Sequence, residues 1–257
     1  MLAGGGRRGA PGGPGDPGNR SRGRAHDRSD ADAERAMSGA TAELWAVRLG
    51  LVIAGLAGWF WTQRLIGQRA WPAGNIGDGV HQLTAPLNRY LREHPRAADA
   101  LLVTTSAIID MLGLFILARS IFGPSIRPFL GLLILYALRQ LCQGLCALPP
   151  PEGMIWRRPG IPSLLVTYDT ATDLFFSGHT AIAVFGSVEL ARMGGPILPV
   201  LGVVIAGVEA AAVLVLRAHY TMDVFAAIVT ALWAVSVADV LAPSVDWALA
   251  ALVGAGR

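Results

Sequence analysis

The chain has 257 residues, of which 53% are hydrophobic and 15% charged, and its mean hydropathy is +0.48. This composition is too apolar and too sparsely charged for a soluble domain of this length, and it predicts a polytopic membrane protein. The net charge of +3 includes no lysine, and the excess arginine lies largely in the first forty residues rather than on a compact basic face. We therefore expect no nucleic-acid partner.

The first predicted element is a disordered tail over residues 1–40. This segment consists mainly of Gly, Pro, Arg, Asp and Ser. With hardly an apolar side chain, it cannot bury enough surface to offset the entropy of ordering. Met37, just before the composition changes, is a candidate for the natural start of the chain.

Six apolar runs follow the tail. A helix needs about 20 predominantly apolar residues to cross a bilayer. The runs cover, in chain order, residues 44–65, 98–121, 127–148, 174–193, 196–216 and 221–241. The predicted fold class is all-α, with about six transmembrane helices in a domain over residues 44–242 and a C-terminal tail over residues 243–257.

Two long connections separate these runs, over residues 67–97 and 149–173. The first has the composition of a turn followed by an interfacial amphipathic helix, and the second is rich in proline and contains Trp156 and Tyr168. If the helix of run 174–193 starts at one membrane face and crosses to the other, the next run, 196–216, returns to the first face. His179, His219 and Asp223 then lie at one membrane face, beneath both long connections.

Two histidines and a carboxylate at a membrane face indicate chemistry on a lipid phosphate. His219 is the predicted nucleophile, and Asp223 follows it at helical spacing, so that its carboxylate can fix the tautomer of the ring. His179 is the predicted general acid for the departing alcohol and later the base for the incoming one. Ser177 and Gly178 precede His179 at a predicted helix N-terminus, where free N–H groups favour an anion.

Other polar and aromatic residues are candidates for substrate binding. Trp156 and Tyr168, above the histidines, can hold a quaternary ammonium by cation–π contact, although interfacial aromatic belts have the same composition. Asp110 and Arg139 lie midway along apolar runs, where a charge is costly unless it is paired or faces the bundle interior. We expect these two residues to pair with each other or to line the site.

The motif Asp-x3-Ser-Gly-His-Thr from Asp173, followed by His-Tyr-Thr-x-Asp from His219, resembles the motif pair of the sphingomyelin synthase-like branch of the type 2 phosphatidic acid phosphatase superfamily. The segment from Arg139 to Glu152 is similar to that branch's Arg-to-Leu-Pro-x-Pro region. The resemblance extends to the plant phosphatidylcholine:diacylglycerol cholinephosphotransferases, which share the branch and its six-span layout.

The resemblance implies a metal-independent reaction through a phosphohistidine, in which a head-group phosphate moves from one lipid to a hydroxyl on another. It places the catalytic set on His179, His219 and Asp223, with Asp173 and Glu152 as further acidic members of the site. The phosphatase branches carry a Lys-x6-Arg-Pro signature and an arginine shortly before the second histidine. This chain lacks lysine and has Val213 at that arginine position, so Arg139 or Arg217 must supply the positive charge.

These residues favour a transferase that moves phosphocholine or phosphoethanolamine to diacylglycerol or a ceramide-like acceptor. A lipid phosphatase and a catalytically silent scaffold are the alternatives, and a zinc site at His179, His219 and Asp223 is a lesser one, because no dense ligand pattern accompanies them. We expect no metal or cofactor. The expected partners are a phospholipid donor and a lipid acceptor, and a homodimer is compatible with the sequence. Arginines before the first run favour a site on the non-cytoplasmic face.

Overall fold

The structure is a computed structural model that describes the backbone of residues 17–68, 76–161, 163–166, 168 and 174–255, with side chains from residue 41 to residue 254 within those ranges. Residues Met1–Glu43 and Leu44–Arg257 form separate units, and the candidate site lies in the second. Over the described ranges every regular element is a helix, which confirms the all-α prediction. The helices are α1 (Pro17–Gly67), α2 (Gly79–Leu83), α3 (Ala85–Glu93), α4 (Pro95–Phe122), α5 (Arg127–Leu145), α6 (Gly178–Ala191), α7 (Ile197–Val215) and α8 (Thr221–Ala255).

Among the residues that the structure describes, five helices are long and apolar enough to cross a bilayer, and they make this an integral, multi-pass membrane protein. They are Thr41–Gly67 of α1, the whole of α4, α5 and α7, and Thr221–Gly254 of α8. They match five of the six predicted runs, and four of these five keep nearly their predicted bounds. The run predicted to end at residue 241 instead continues, because its helix passes through Pro243 into a further apolar stretch.

The fourth predicted span is wrong in length. Helix α6 has 14 residues, because Ser177 caps its start and Gly194 and Gly195 follow its end with φ of +90° and +81°. At 1.5 Å per residue it is about 21 Å long, which is short of a hydrocarbon core of about 30 Å. Helix α6 is instead the buried central helix of the bundle and packs against α4, α7 and α8.

Helix α1 begins at Pro17, inside the segment for which the composition predicts disorder. Alanine, arginine and glutamate recur over residues 24–36, and these residue types have high helix propensity.

Helices α6 and α7 form a tight hairpin that determines the relative positions of its two ends. The hydroxyl of Ser187 donates to the Gly202 carbonyl at 2.6 Å. A Cβ at Gly202 would lie 2.9 Å from the Ser187 Cβ, so only glycine permits this approach. Because α6 starts and α7 ends at the same face of the bundle, the hairpin brings His179 and the loop after α7 to one place.

The connection predicted to hold an amphipathic helix forms two short helices, α2 and α3. Their outward side chains are apolar and exposed, namely Leu83, Leu87 and Tyr90, whereas Asn88 and Leu91 are buried against the bundle. This arrangement covers the face where α7 ends and α8 begins.

Candidate active site

His219 lies in the turn between α7 and α8, and its ring is buried. Its Nδ1 is 2.8 Å from the backbone carbonyl oxygen of Leu174. A carbonyl oxygen only accepts hydrogen bonds, so the Nδ1 of His219 carries the proton and donates it. In the neutral ring, Nε2 then holds the lone pair. The geometry therefore leaves Nε2 as the nucleophilic atom of His219.

Asp223 is fully buried beside this ring but is not its hydrogen-bond partner. Its Oδ2 is 3.6 Å from Nδ1 of His219 and accepts from the backbone N–H of Tyr220 at 2.8 Å. Tyr220 precedes the first residue of α8, so Asp223 closes the helix start as the third residue of a capping box does. The Asp223 carboxylate thus lies beside one ring nitrogen of His219, as its spacing predicted, but the hydrogen bond of that nitrogen goes to Leu174.

His179 is in the first turn of α6, and it is buried with its Nε2 unpaired among the described residues. The N-terminus of α6 is organised by Ser177, whose hydroxyl accepts from Thr180 N at 3.3 Å and from Thr180 Oγ1 at 3.1 Å. The backbone N–H of Ser177 donates to the Asp223 carbonyl at 3.2 Å, which joins the starts of α6 and α8.

Arg139 of α5 supplies the positive charge at this helix start. Its side chain is buried, and Nε donates to the Phe176 carbonyl at 3.0 Å while Nη1 is 3.4 Å from the Gln63 amide oxygen. The guanidinium lies against Gly178, where an added Cβ would be 3.3 Å from Nε of Arg139. A glycine at this position lets the cation approach the backbone N–H groups that open α6.

A small cavity joins these residues. Its lining includes His179, His219, Arg139 and Gly178, together with three aromatic rings from separate elements, Trp59, Tyr136 and Trp156. The ring centroids of Trp156 and His179 are 5.3 Å apart with an interplanar angle of 79°. Two imidazoles, a guanidinium and a helix N-terminus thus surround one space, which is suited to a phosphate anion.

The remaining predicted site residues lie outside the cavity lining or outside the described residues. Arg217 does not line the cavity: its Nη1 donates to the Glu152 carbonyl at 2.6 Å and its Nη2 to the His81 carbonyl at 3.1 Å, which ties loops together. Glu152 is exposed on its loop, outside the cavity lining. Tyr168 stacks behind Trp156 at 4.8 Å and hydrogen-bonds to Ser106. Asp173 lies outside the described residues.

The predicted pairing of Asp110 with Arg139 is replaced by a different contact. The Asp110 carboxylate accepts from the backbone N–H groups of Leu164 and Leu165, each at 2.9 Å, and from the Ser163 hydroxyl. It therefore holds the loop that contributes Leu165 to the cavity lining. Within the described part of the chain, no three His, Cys, Asp or Glu side chains are placed to hold a metal ion.

Three polar residues that the sequence analysis missed position the turn that contains His219. Asp78 caps α2 and also accepts from Thr221, with Oδ2 at 2.6 Å from N and Oδ1 at 2.7 Å from Oγ1. His81 bonds the His219 carbonyl at 2.9 Å. Asn88 donates to the carbonyls of Val215 and Gly153 at 2.9 and 3.2 Å. The pattern Asp78-x-x-His81, between the predicted turn and the predicted amphipathic helix, was the available signal.

The electrostatics of Asp78 fit this positioning role. Burial acts to raise the pKa of the Asp78 carboxyl, but hydrogen bonds from the backbone and side chain of Thr221 outweigh it, so that the pKa is lowered from 3.8. The carboxylate form is therefore the one that holds the start of α8.

Comparison with known proteins gives one family. The family model described as AtPDCT1/2, the phosphatidylcholine:diacylglycerol cholinephosphotransferases, matches residues 78–242, which cover α2 to most of α8 and begin at Asp78. No curated protein and no solved structure matches the chain.

Proposed function

Since this chain belongs to the AtPDCT1/2 family, and family membership makes it a transferase of phospholipid metabolism, we propose that it moves phosphocholine from phosphatidylcholine to diacylglycerol through a phosphohistidine on His219. The observation that carries this mechanism is the hydrogen bond from Nδ1 of His219 to the Leu174 carbonyl. It leaves Nε2 as a lone-pair nucleophile in the cavity that Arg139 and His179 also line.

In the first half-reaction, Nε2 of His219 attacks the phosphorus of phosphatidylcholine. A P–N bond forms, and the bond between phosphorus and the glycerol oxygen breaks. His179 gives its proton to that oxygen, so diacylglycerol leaves as a neutral alcohol. A histidine is an acid only with both ring nitrogens protonated. Burial, together with His219 and Arg139, lowers the pKa of His179 to about 3 in the free site, and the anionic phosphodiester opposes that shift when it binds.

In the second half-reaction, the hydroxyl of an incoming diacylglycerol attacks the same phosphorus. His179 accepts the hydroxyl proton, the new P–O bond forms, and the P–N bond breaks, which restores neutral His219. Phosphohistidine with a proton on Nδ1 carries positive charge. The Asp223 carboxylate, 3.6 Å from Nδ1, and the Leu174 carbonyl stabilise that charge.

The site divides recognition of the head group between two kinds of contact. The Arg139 guanidinium and the N–H groups that open α6 bind the phosphoryl oxygens. The rings of Trp59, Tyr136 and Trp156 line the same cavity and bind the quaternary ammonium of choline by cation–π contact. This aromatic set favours choline over ethanolamine, whose ammonium is more strongly hydrated.

The test is a transfer assay with purified protein in lipid nanodiscs, with chelator present throughout. The donor is phosphatidylcholine labelled in its choline, and the acceptor is a diacylglycerol with distinguishable acyl chains. We expect label in the phosphatidylcholine that carries the acceptor's chains. Label released only as phosphocholine or as choline would contradict transfer.

Matched histidine variants test the phosphohistidine. With denaturation during turnover, wild-type protein should retain acid-labile label, and His219→Ala should retain none and transfer nothing. His179→Ala should accumulate less intermediate, because the leaving oxygen lacks its acid, yet label the same residue. Undiminished transfer by His219→Ala would contradict the mechanism.

The site faces the non-cytoplasmic side of the membrane in this proposal. The support is the cluster of arginines before the first membrane span, Thr41–Gly67, which favours a cytoplasmic N-terminus. A cysteine introduced at exposed Leu83 of α2 should react with a membrane-impermeant thiol reagent added to intact cells. Reaction only after the membrane is permeabilised would place the site on the cytoplasmic face.

A further inference from the structure

An apolar groove lies next to the catalytic cavity, between α1, α4 and α5. Its volume is about 390 Å³, and nearly all its lining is apolar. On α1 it extends over residues 54–62, which is a length of about 12 Å at 1.5 Å per residue. These dimensions fit a section of an extended hydrocarbon chain.

The groove is open because hydrogen bonds hold α1 to the bundle on either side of it, and α1 has a glycine, without a side chain, where it lines the groove. At one end, Arg48 donates to the Gly123 carbonyl at 2.6 Å. At the other end, the Gln63 amide oxygen accepts from Gln140 at 3.1 Å. Between them Gly58 lines the groove, and a Cβ at that position would have no atom within 4 Å.

The groove leads directly to the catalytic cavity. Four residues line both spaces, and they are Trp59, Tyr136, Leu165 and Ile182. The Trp59 and Tyr136 rings, 5.3 Å apart, lie at the junction. A lipid with its phosphate at His219 can therefore place an apolar chain in the groove through this junction.

We propose that this groove binds one acyl chain of the diacylglycerol body of the substrate, and that the leaving and incoming diacylglycerol use it in turn. This inference rests on the proposed function. After the first half-reaction the product in the groove is a diacylglycerol, and the acceptor is chemically the same kind of molecule. Because the phosphocholine stays on His219 between the two steps, one groove serves both half-reactions.

The first test fills the groove with a side chain. Gly58→Leu places a leucine in the open space, and Gly50→Leu on the same helix is the control, because its Cβ also has no neighbour within 4 Å but Gly50 does not line the groove. Both changes replace glycine with a better helix former. Gly58→Leu should lower kcat/KM about tenfold for long-chain phosphatidylcholine and leave that for dihexanoyl phosphatidylcholine unchanged, whereas Gly50→Leu should change neither. Equal effects on both chain lengths, or no effect, would overturn the groove assignment.

The second test does not require turnover. His219→Ala protein is irradiated with phosphatidylcholine that carries a photoreactive group in its acyl chain, and the labelled peptides are mapped. We expect label on α1 within residues 54–62 and on α5 within residues 129–140, with competition by unlabelled diacylglycerol. Label elsewhere, or label that diacylglycerol does not displace, would overturn the proposal. If wild-type protein transfers nothing but this labelling is found, the proposed function fails and the groove stands.

Discussion

A backbone carbonyl, rather than the nearby carboxylate, selects the reactive nitrogen of His219. The Leu174 carbonyl oxygen accepts a hydrogen bond from Nδ1 of His219 at 2.8 Å, whereas the Asp223 carboxylate is 3.6 Å from that nitrogen and caps α8. The two roles are separable, since the tautomer depends on Leu174 and the electrostatic balance on Asp223. The electrostatic role can therefore be tested by a substitution of Asp223 alone.

Asp223→Asn should slow the chemical step without unfolding the start of α8. The asparagine oxygen can still accept from Tyr220 N, but the negative charge that balances the cationic phosphohistidine is lost. We expect kcat to fall about 10²-fold, with little change in KM or thermal stability. Asp223→Leu, which also removes the cap, should lower stability in addition. A kcat of Asp223→Asn near the wild-type value would show that the charge is unimportant.

Gly178→Ala should displace the guanidinium of Arg139. The new Cβ would lie 3.3 Å from Nε, which forces a shift of a few tenths of an ångström in the cation that we propose binds the phosphate. We expect a loss of about tenfold in kcat/KM, since small misplacements of binding groups are costly. Gly144→Ala on α5, where a Cβ meets no atom within 4 Å, is the control and should keep full activity.

At the level of elements, α2 and α3 hold the turn between α7 and α8 in place. Asn88 of α3 is fully buried and donates to two backbone carbonyls from different loops. Asp78 and His81 of the α2 region contact Thr221 and the His219 carbonyl. These two short helices therefore act as structural supports of the site as well as its cover.

Asn88→Ala should weaken this support. It leaves the carbonyls of Val215 and Gly153 without this donor in a buried place, which costs about 1–3 kcal/mol. We expect a lower midpoint in thermal unfolding and a reduced transfer rate at temperatures well below it. Arg89→Ala, at the exposed neighbouring position, should leave both quantities unchanged. Equal behaviour of the two variants would contradict a supporting role for α3.

The Asp78 contact should depend on pH in one direction. Because the folded-state pKa is lowered from 3.8, its contribution to stability is present above that value and is lost as the pH falls through the lower folded-state value. The difference in thermal midpoint between wild type and Asp78→Asn should be constant at neutral pH and shrink below about pH 4. A difference that grows towards acid pH would contradict this assignment.

At the level of the whole membrane domain, the end opposite the site is held by an ion network. Arg127 pairs with fully buried Glu189 at 2.5 Å and with Asp239 at 3.4 Å, and Asp239 also pairs with Arg192 at 2.6 Å. These contacts join the start of α5 to the end of α6 and to α8. They orient α6, and therefore the angle at which its N-terminus enters the site.

Glu189→Gln should destabilise the domain and leave the chemistry intact. The variant removes the charge of the buried Glu189 carboxylate and leaves half-buried Arg127 with Asp239 alone, and breaking a buried pair costs about 3–5 kcal/mol. Arg157→Ala, which breaks the exposed pair with Asp99 at 2.6 Å, should cost about 1 kcal/mol or less. The measurements are thermal unfolding and transfer rate per folded molecule. A rate loss larger than the folded fraction explains would indicate coupling to the site.

The sequence by itself determined the class of the molecule and the residue types of its site. Apolar runs of transmembrane length have no stable alternative to helices in lipid, and successive crossings alternate direction, so His179, His219 and Asp223 were predictable neighbours. Only the tertiary structure decided that Leu174 fixes the His219 tautomer, that Arg139 rather than Arg217 lies in the cavity, and that α6 is too short to cross alone. The positions of Trp59, Tyr136 and Asn88 at the site were also decided only by the tertiary structure. Every residue has a backbone carbonyl, so the sequence does not show which carbonyl accepts a given hydrogen bond. Helix periodicity shows which face of a helix is apolar, but not which side chain of another element packs against that face.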